Sequence, residues 1–140
     1  LNKDLLSLWL DKFQPLLKHQ IDLQKKKTAG EGNRGSERYY VTLPFLTDPH
    51  YPFQQPSIYE DADILAIVEG MVGFDPVMCQ LATDTPLKGS VYQEIHRDCP
   101  PLFPESEWQK ETPSFQLAVN FPLVNVTPDN GPFEVARGTH

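Results

Sequence analysis

His96 and Asp98, separated only by Arg97, are the residues of this chain whose types and spacing are best suited to chemistry. They end the apolar-leaning run Ser90–Ile95, and side chains two positions apart on an extended segment point to the same side. An imidazole and a carboxylate on one side can bind a single divalent metal ion. With one further histidine they would form the 2-His-1-carboxylate ligand set of non-haem Fe(II) centres.

His-x-Asp alone is a weak signal, because it arises by chance and then marks an ordinary strand end that faces water. A second motif lies further along the chain, where Asp129-Asn130-Gly131 is followed by Arg137-Gly138-Thr139-His140. Together the two motifs resemble the phytanoyl-CoA dioxygenase family over roughly residues 75–140. Residues 1–70 carry no motif that matches.

The resemblance implies an α+β fold that is mainly β, a double-stranded β-helix (the jelly roll of cupin-like proteins) preceded by helices. We expect a single oxygenase domain over 1–140, with a helical part at 1–73 and a jelly-roll part at 74–140. The 14 prolines of the 140-residue chain also favour short strands and long loops over a helical bundle.

The resemblance further implies an Fe(II)- and 2-oxoglutarate-dependent dioxygenase that hydroxylates a small organic substrate and releases succinate and CO₂. His96 and Asp98 would be the catalytic metal ligands. The family's second histidine and the arginine that holds 2-oxoglutarate are expected beyond residue 140, so the domain is expected to be truncated, and whether the fragment is active stays open. By motif, His140 matches a structural turn, and His19 and His50 are predicted to be surface residues.

Two cosubstrate contacts follow from the resemblance by position. Asn120 lies midway along the segment after His-x-Asp, on its small polar face, and some relatives place an aromatic residue there instead. Met78 matches a methionine that contacts 2-oxoglutarate in some members, although core packing is the more ordinary role for this side chain. The loop 100–113, which begins beside Asp98, is a candidate cover for the substrate.

Two other functions remain open. A non-catalytic relative could keep the jelly roll as a binding module. Another cupin-like metal enzyme, such as an isomerase, could use the metal without 2-oxoglutarate. The sequence does not identify the substrate or the oligomeric state.

Hydrophobic periodicity predicts the elements that would position these residues. An amphipathic helix is expected over 3–24, with a kink or a break at Pro15. A second helix is expected to begin at an N-cap at Ser57, where Glu60 completes a capping box, and to end at Gly73. Segments expected to be strands are 38–45, 77–82, 90–96, 115–126 and 133–136, with a polar loop at 25–37, another loop at 47–56, a turn at 84–89 and a tight hairpin turn at 129–131.

Charge and composition exclude some partners. The net charge is −7, and Lys25-Lys26-Lys27 is too short to follow a phosphate backbone, so nucleic-acid binding is not expected. No apolar run is long enough for a transmembrane span, and no signal peptide begins at Leu1, so we expect a cytoplasmic protein without a membrane partner. The missing initiator methionine suggests that the chain begins inside a longer protein. Cys79 and Cys99 are expected to be thiols rather than a disulfide.

Overall fold

The structure is a computed structural model that describes residues 3–25, 35–45, 52–110 and 112–138. Its helices are α1 (Lys3–Lys25), α2 (Pro56–Tyr59) and α3 (Ala62–Val72), its strands are β1 (Arg38–Thr42) and β2 (Ala82–Pro86), and short 3₁₀ helices run over Pro52–Gln54 and Glu107–Lys110. The chain divides into two compact units. The first contains Leu1–Tyr59 and Met78–Gln93, and the second contains Glu60–Val77 and Glu94–His140.

Helix α1 confirms the predicted amphipathic helix. Of the kink or break predicted at Pro15, the break is wrong, since the helix continues through the proline. Proline removes one backbone hydrogen bond and crowds the preceding turn. The buried side chains of Trp9 and Phe13 precede Pro15, and that of Leu17 follows it. Because all three share one helix face, burial on both sides of the proline keeps the two halves in a single helix.

Strands β1 and β2 pair in antiparallel register, with Tyr40 opposite Asp84 and Thr42 opposite Ala82. The predicted strand at 38–45 is therefore confirmed over its first part. The prediction of a strand over 77–82 followed by a turn from Asp84 is wrong, because the strand begins at Ala82 and Asp84 lies within it. β1 can bury side chains on one face, as its alternating burial of Tyr39 and Val41 shows.

The core of the first unit is built around the indole of Trp9. Its ring meets that of Phe53 edge to face at 4.7 Å, and its Nε1–H donates to the carbonyl of Pro52 at 2.9 Å. Both side chains are almost fully buried. The remaining core is apolar: Phe13, Leu17, Tyr39, Val41, Leu43 and Leu81. Burial, and secondarily the carboxylate of Glu37, raises the pKa of Tyr39 above its ordinary value.

Arg38 in β1 forms hydrogen bonds to β2 and to the segment that follows β2. Arg38 donates from Nη1 to Asp84 Oδ2 at 3.1 Å and from Nη2 to the carbonyl of Val91 at 3.2 Å. The backbone N–H of Leu87 adds a bond to the carbonyl of Glu37 at 2.8 Å. These contacts hold residues 87–91 beside the sheet.

The N-cap prediction for the second helix is wrong in position. Ser57 lies inside the short helix α2, and α3 instead begins after Asp61, whose Oδ1 accepts from the backbone N–H of Asp63 and of Ile64 at 3.1 Å each. Gly73 ends α3 as predicted, at φ 98°, and its N–H donates to the carbonyl of Glu69 at 3.0 Å. A positive φ of this size suits glycine, which has no Cβ to clash.

Most of the second unit after residue 93 is irregular. The segments predicted as strands at 90–96, 115–126 and 133–136 carry no ladder in the described chain. Alternation of apolar and polar side chains in the sequence favours an extended backbone. A β-strand also needs a neighbouring strand to which it is hydrogen-bonded. A turn lies at 127–130, where the Asn130 N–H donates to the carbonyl of Thr127 at 3.3 Å and Asn130 Oδ1 accepts from the Thr127 N–H at 2.8 Å, but no strand ladder flanks it in the described chain, so the predicted hairpin is not formed there. One two-stranded sheet is too little to test the jelly roll, which stays a prediction.

Among the described residues, no helix is both long and apolar enough to cross a membrane.

Replacing Trp9 tests the core. Trp9→Ala should lower the free energy of unfolding by about 3–5 kcal/mol, because a fully buried indole is removed. The measurement is urea unfolding followed by circular dichroism. Trp108→Ala is the matched control, since Trp108 is largely exposed, and it should stay within about 0.5 kcal/mol of the parent. Equal losses for the two variants would contradict this core.

Replacing Asp61 tests the helix boundary. Asp61→Ala should cost about 1 kcal/mol of stability, since two backbone N–H groups lose their acceptor. Ser57→Ala should have a smaller effect because Ser57 caps neither helix. Thermal unfolding of both variants decides the matter, and a larger loss for Ser57→Ala would restore the boundary that the sequence predicts.

Candidate metal centre

His96 and Asp98 face one another in the second unit. Nε2 of His96 lies 3.4 Å from Oδ1 of Asp98. Two donor atoms that share a metal at bond lengths of about 2.1 Å, and that subtend an angle of about 90–110°, lie about 3.0–3.4 Å apart. The predicted pair is therefore brought together at a separation that suits neighbouring ligands of one ion.

A backbone carbonyl selects the imidazole nitrogen that is available. Nδ1 of His96 lies 2.6 Å from the carbonyl oxygen of Glu94. A carbonyl can only accept, so we place the proton on Nδ1, which leaves the lone pair of a neutral ring on Nε2. Nε2 is the nitrogen that faces Asp98. Metal-bound histidines commonly donate their other N–H to such a carbonyl.

Solvent reaches both groups, because the side chains of His96 and Asp98 are 49% and 67% exposed. The same contact could join an imidazolium to a carboxylate as a surface ion pair of little energetic value. In the described residues, no cluster of three or more His, Cys, Asp and Glu side chains is arranged to hold a metal. The residues present thus fit two of the three ligands that the resemblance implies.

The other predicted site residues are placed as follows. Asn120 lies in the second unit, exposed, on an irregular segment. Met78 lies in the first unit, on the stretch before β2, and is 37% exposed. His19 is an exposed residue of α1, as predicted, whereas His50 and His140 lie outside the described residues.

One contact beside the pair was not predicted. Cys99, the residue after Asp98, is half-buried, and its thiol donates to Oε1 of Gln116 at 2.6 Å. It joins the segment that carries His96 and Asp98 to the segment that carries Asn120. Both cysteines are free thiols, as expected. The carbonyl of Glu94 was also missed, because every residue has a carbonyl and no side-chain pattern indicates which one a histidine will use.

Comparison with known proteins gives no match to a protein-family model, to a curated protein or to a solved structure. The likeness to the phytanoyl-CoA dioxygenase family consequently rests on the two motifs alone.

Removal of one ligand tests the metal assignment. Asp98→Ala should weaken binding of Fe(II), or of Zn(II) as a redox-inert substitute, by at least roughly 100-fold, because losing a group that merely supports a ligand already costs 10- to 100-fold. A competition titration against a metal-sensitive dye measures the affinity.

Glu94→Ala is the matched control. It removes a nearby carboxylate but keeps the carbonyl that bonds His96, so metal affinity should change little. Unchanged metal binding in Asp98→Ala would reduce the pair to a surface contact. A loss in Glu94→Ala as large as that in Asp98→Ala would make Glu94 a ligand as well.

Proposed function

We propose that this chain carries the iron-binding pair of an Fe(II)- and 2-oxoglutarate-dependent dioxygenase that hydroxylates a small organic molecule. One observation supports the proposal above others: Nε2 of His96 and Oδ1 of Asp98 lie 3.4 Å apart, while the Nδ1 side of the ring is occupied by the carbonyl of Glu94. The two motifs shared with the phytanoyl-CoA dioxygenase family supply the expected reaction.

Each residue of the pair has a distinct task. Asp98 contributes a negatively charged oxygen, which suits a divalent cation. His96 contributes a neutral nitrogen, and the bond from Nδ1–H to Glu94 keeps the ring oriented before the ion arrives. Preorganisation matters because a ligand that is already in place loses little conformational entropy on binding.

Bound iron would supply the oxygen chemistry by which substrate, 2-oxoglutarate and O₂ give hydroxylated substrate, succinate and CO₂. His96 and Asp98 would supply two of the ion's ligands, one nitrogen and one oxygen. In the proposed enzyme, Asn120, which belongs to the same unit as His96 and Asp98, would contact 2-oxoglutarate. An amide such as that of Asn120 can donate to a carboxylate oxygen.

Succinate release tests the proposed reaction. Protein supplied with Fe(II), 2-oxoglutarate and O₂ should form succinate, because the proposed reaction releases it. The rate should fall by at least roughly 100-fold in Asp98→Ala, in line with its weaker metal binding. Production is measured by chromatography of the organic acids.

Two controls separate the alternatives. Glu94→Ala should retain succinate formation, because it leaves the ligands and the Glu94 carbonyl in place. Tight, Asp98-dependent metal binding with no succinate would favour a metal enzyme that does not use 2-oxoglutarate. Absence of both metal binding and succinate would count against the proposed function for this chain.

A further inference from the structure

The Asp129-Asn130-Gly131 motif has a chemical property that the proposed function does not use. Asn130 is the only asparagine of the chain that a glycine follows. In such a pair the backbone nitrogen of the glycine can attack the side-chain amide of the asparagine, because glycine has no Cβ to obstruct the approach and its backbone is conformationally permissive. Gly131 has φ 79°, a conformation that few other residues adopt.

The side-chain amide of Asn130 holds the turn in which it lies. Its Oδ1 accepts from the backbone N–H of Thr127 at 2.8 Å, and its Nδ2 donates to the carbonyl of Asn125 at 2.7 Å. We call residues 125–130 the Asn130 turn. One end of the side chain thus accepts and the other donates. An amide can do both, whereas an ionised carboxylate can only accept.

Exposure alone does not single out Asn130. Asn120 and Asn125 are exposed as well, so water reaches all three side chains. The difference lies in the residue that follows. Asn125 precedes the β-branched Val126, which crowds the approach of the backbone nitrogen. Asn120 precedes Phe121, whose ring does the same. The chain therefore contains its own controls.

We propose that Asn130 is a site of spontaneous deamidation and that the reaction releases the Asn130 turn. The Gly131 nitrogen forms a bond to Cγ of Asn130 while the Cγ–Nδ2 bond breaks. The amide nitrogen takes the Gly131 proton and leaves as ammonia, and a cyclic imide remains. Water then opens the imide at either carbonyl, which yields aspartate or isoaspartate. No electrons are transferred, and water is the one co-reactant.

The product does not fit the hydrogen bonds that the amide makes. In aspartate the Nδ2 donor is replaced by an oxygen, so two acceptors face each other at the carbonyl of Asn125, and the bond of 2.7 Å is lost. In isoaspartate the main chain also runs through the former side chain, which displaces the acceptor that Thr127 uses. Asp129 already carries a negative charge beside the new one. The Asn130 turn therefore opens in both products.

The site of reaction is tested by ageing the whole chain, without added metal, at neutral pH and physiological temperature. Peptide mass spectrometry then gives the deamidated fraction at each asparagine. Product at Asn130 should form at least roughly tenfold faster than at Asn125, because the attacking nitrogen belongs to glycine. Asn130→Gln, whose longer side chain would have to close a larger ring, should suppress the release of ammonia. Equal rates at the two asparagines, or no product at Asn130 over weeks, would overturn the proposal.

The release of the turn is tested by hydrogen exchange of the Thr127 N–H, followed by NMR. Asn130→Asp reproduces one of the two products. In this variant and in the aged protein, Thr127 should exchange roughly fivefold faster than in the parent, the effect of losing one hydrogen bond from the turn.

Asn125→Asp is the matched control for added charge. It introduces the same carboxylate within the turn but keeps the backbone carbonyl that accepts from Asn130, so Thr127 should exchange as in the parent. Parent-like exchange in Asn130→Asp, or equal acceleration in Asn125→Asp, would overturn the proposed release. None of these steps involves iron, so the result is independent of whether the chain forms succinate.

Discussion

Burial of the Trp9 indole is the constraint on which the first unit depends. Its edge-to-face contact with Phe53 and its bond to the carbonyl of Pro52 join α1 to the short 3₁₀ helix that precedes α2. A buried indole N–H without an acceptor would carry a desolvation penalty, so the carbonyl is as necessary as the ring contact. Helix α1 packs against β1, whose Tyr39 and Val41 side chains are buried, and β1 pairs with β2.

Sequence patterns identified the elements whose cause is local. The amphipathic repeat in α1 and the glycine that ends α3 required no knowledge of distant residues. Features with a non-local cause were missed. Helix α1 passes through Pro15 because side chains on both sides of it are buried together, and β2 starts at Ala82 because that register pairs it with β1. The N-cap lies at Asp61 rather than at Ser57, and the sequence does not decide between them because serine and aspartate have a similar intrinsic preference for that position.

The candidate site shows the same division. The spacing of His96 and Asp98 is a local property, and their convergence could be anticipated from the sequence. The carbonyl that orients the ring and the thiol–amide contact of Cys99 with Gln116 depend on backbone conformation and on a segment further along the chain. The roles of Asn120 and Met78 stay predictions, since contact with 2-oxoglutarate depends on where that molecule binds, which the position of neither residue defines.

The described residues of the second unit include none that is fully buried. With so little apolar surface removed from water, hydrophobic burial contributes little to ordering this part of the chain. A metal ion held by His96, Asp98 and a ligand distant in sequence would close a long loop and bind only the ordered form, so its binding energy would add to folding stability. At a free-ion concentration one hundred times the dissociation constant, that linkage amounts to about 2.7 kcal/mol. Under the proposed function, order in this unit would therefore depend on the concentration of the free ion as well as on the sequence.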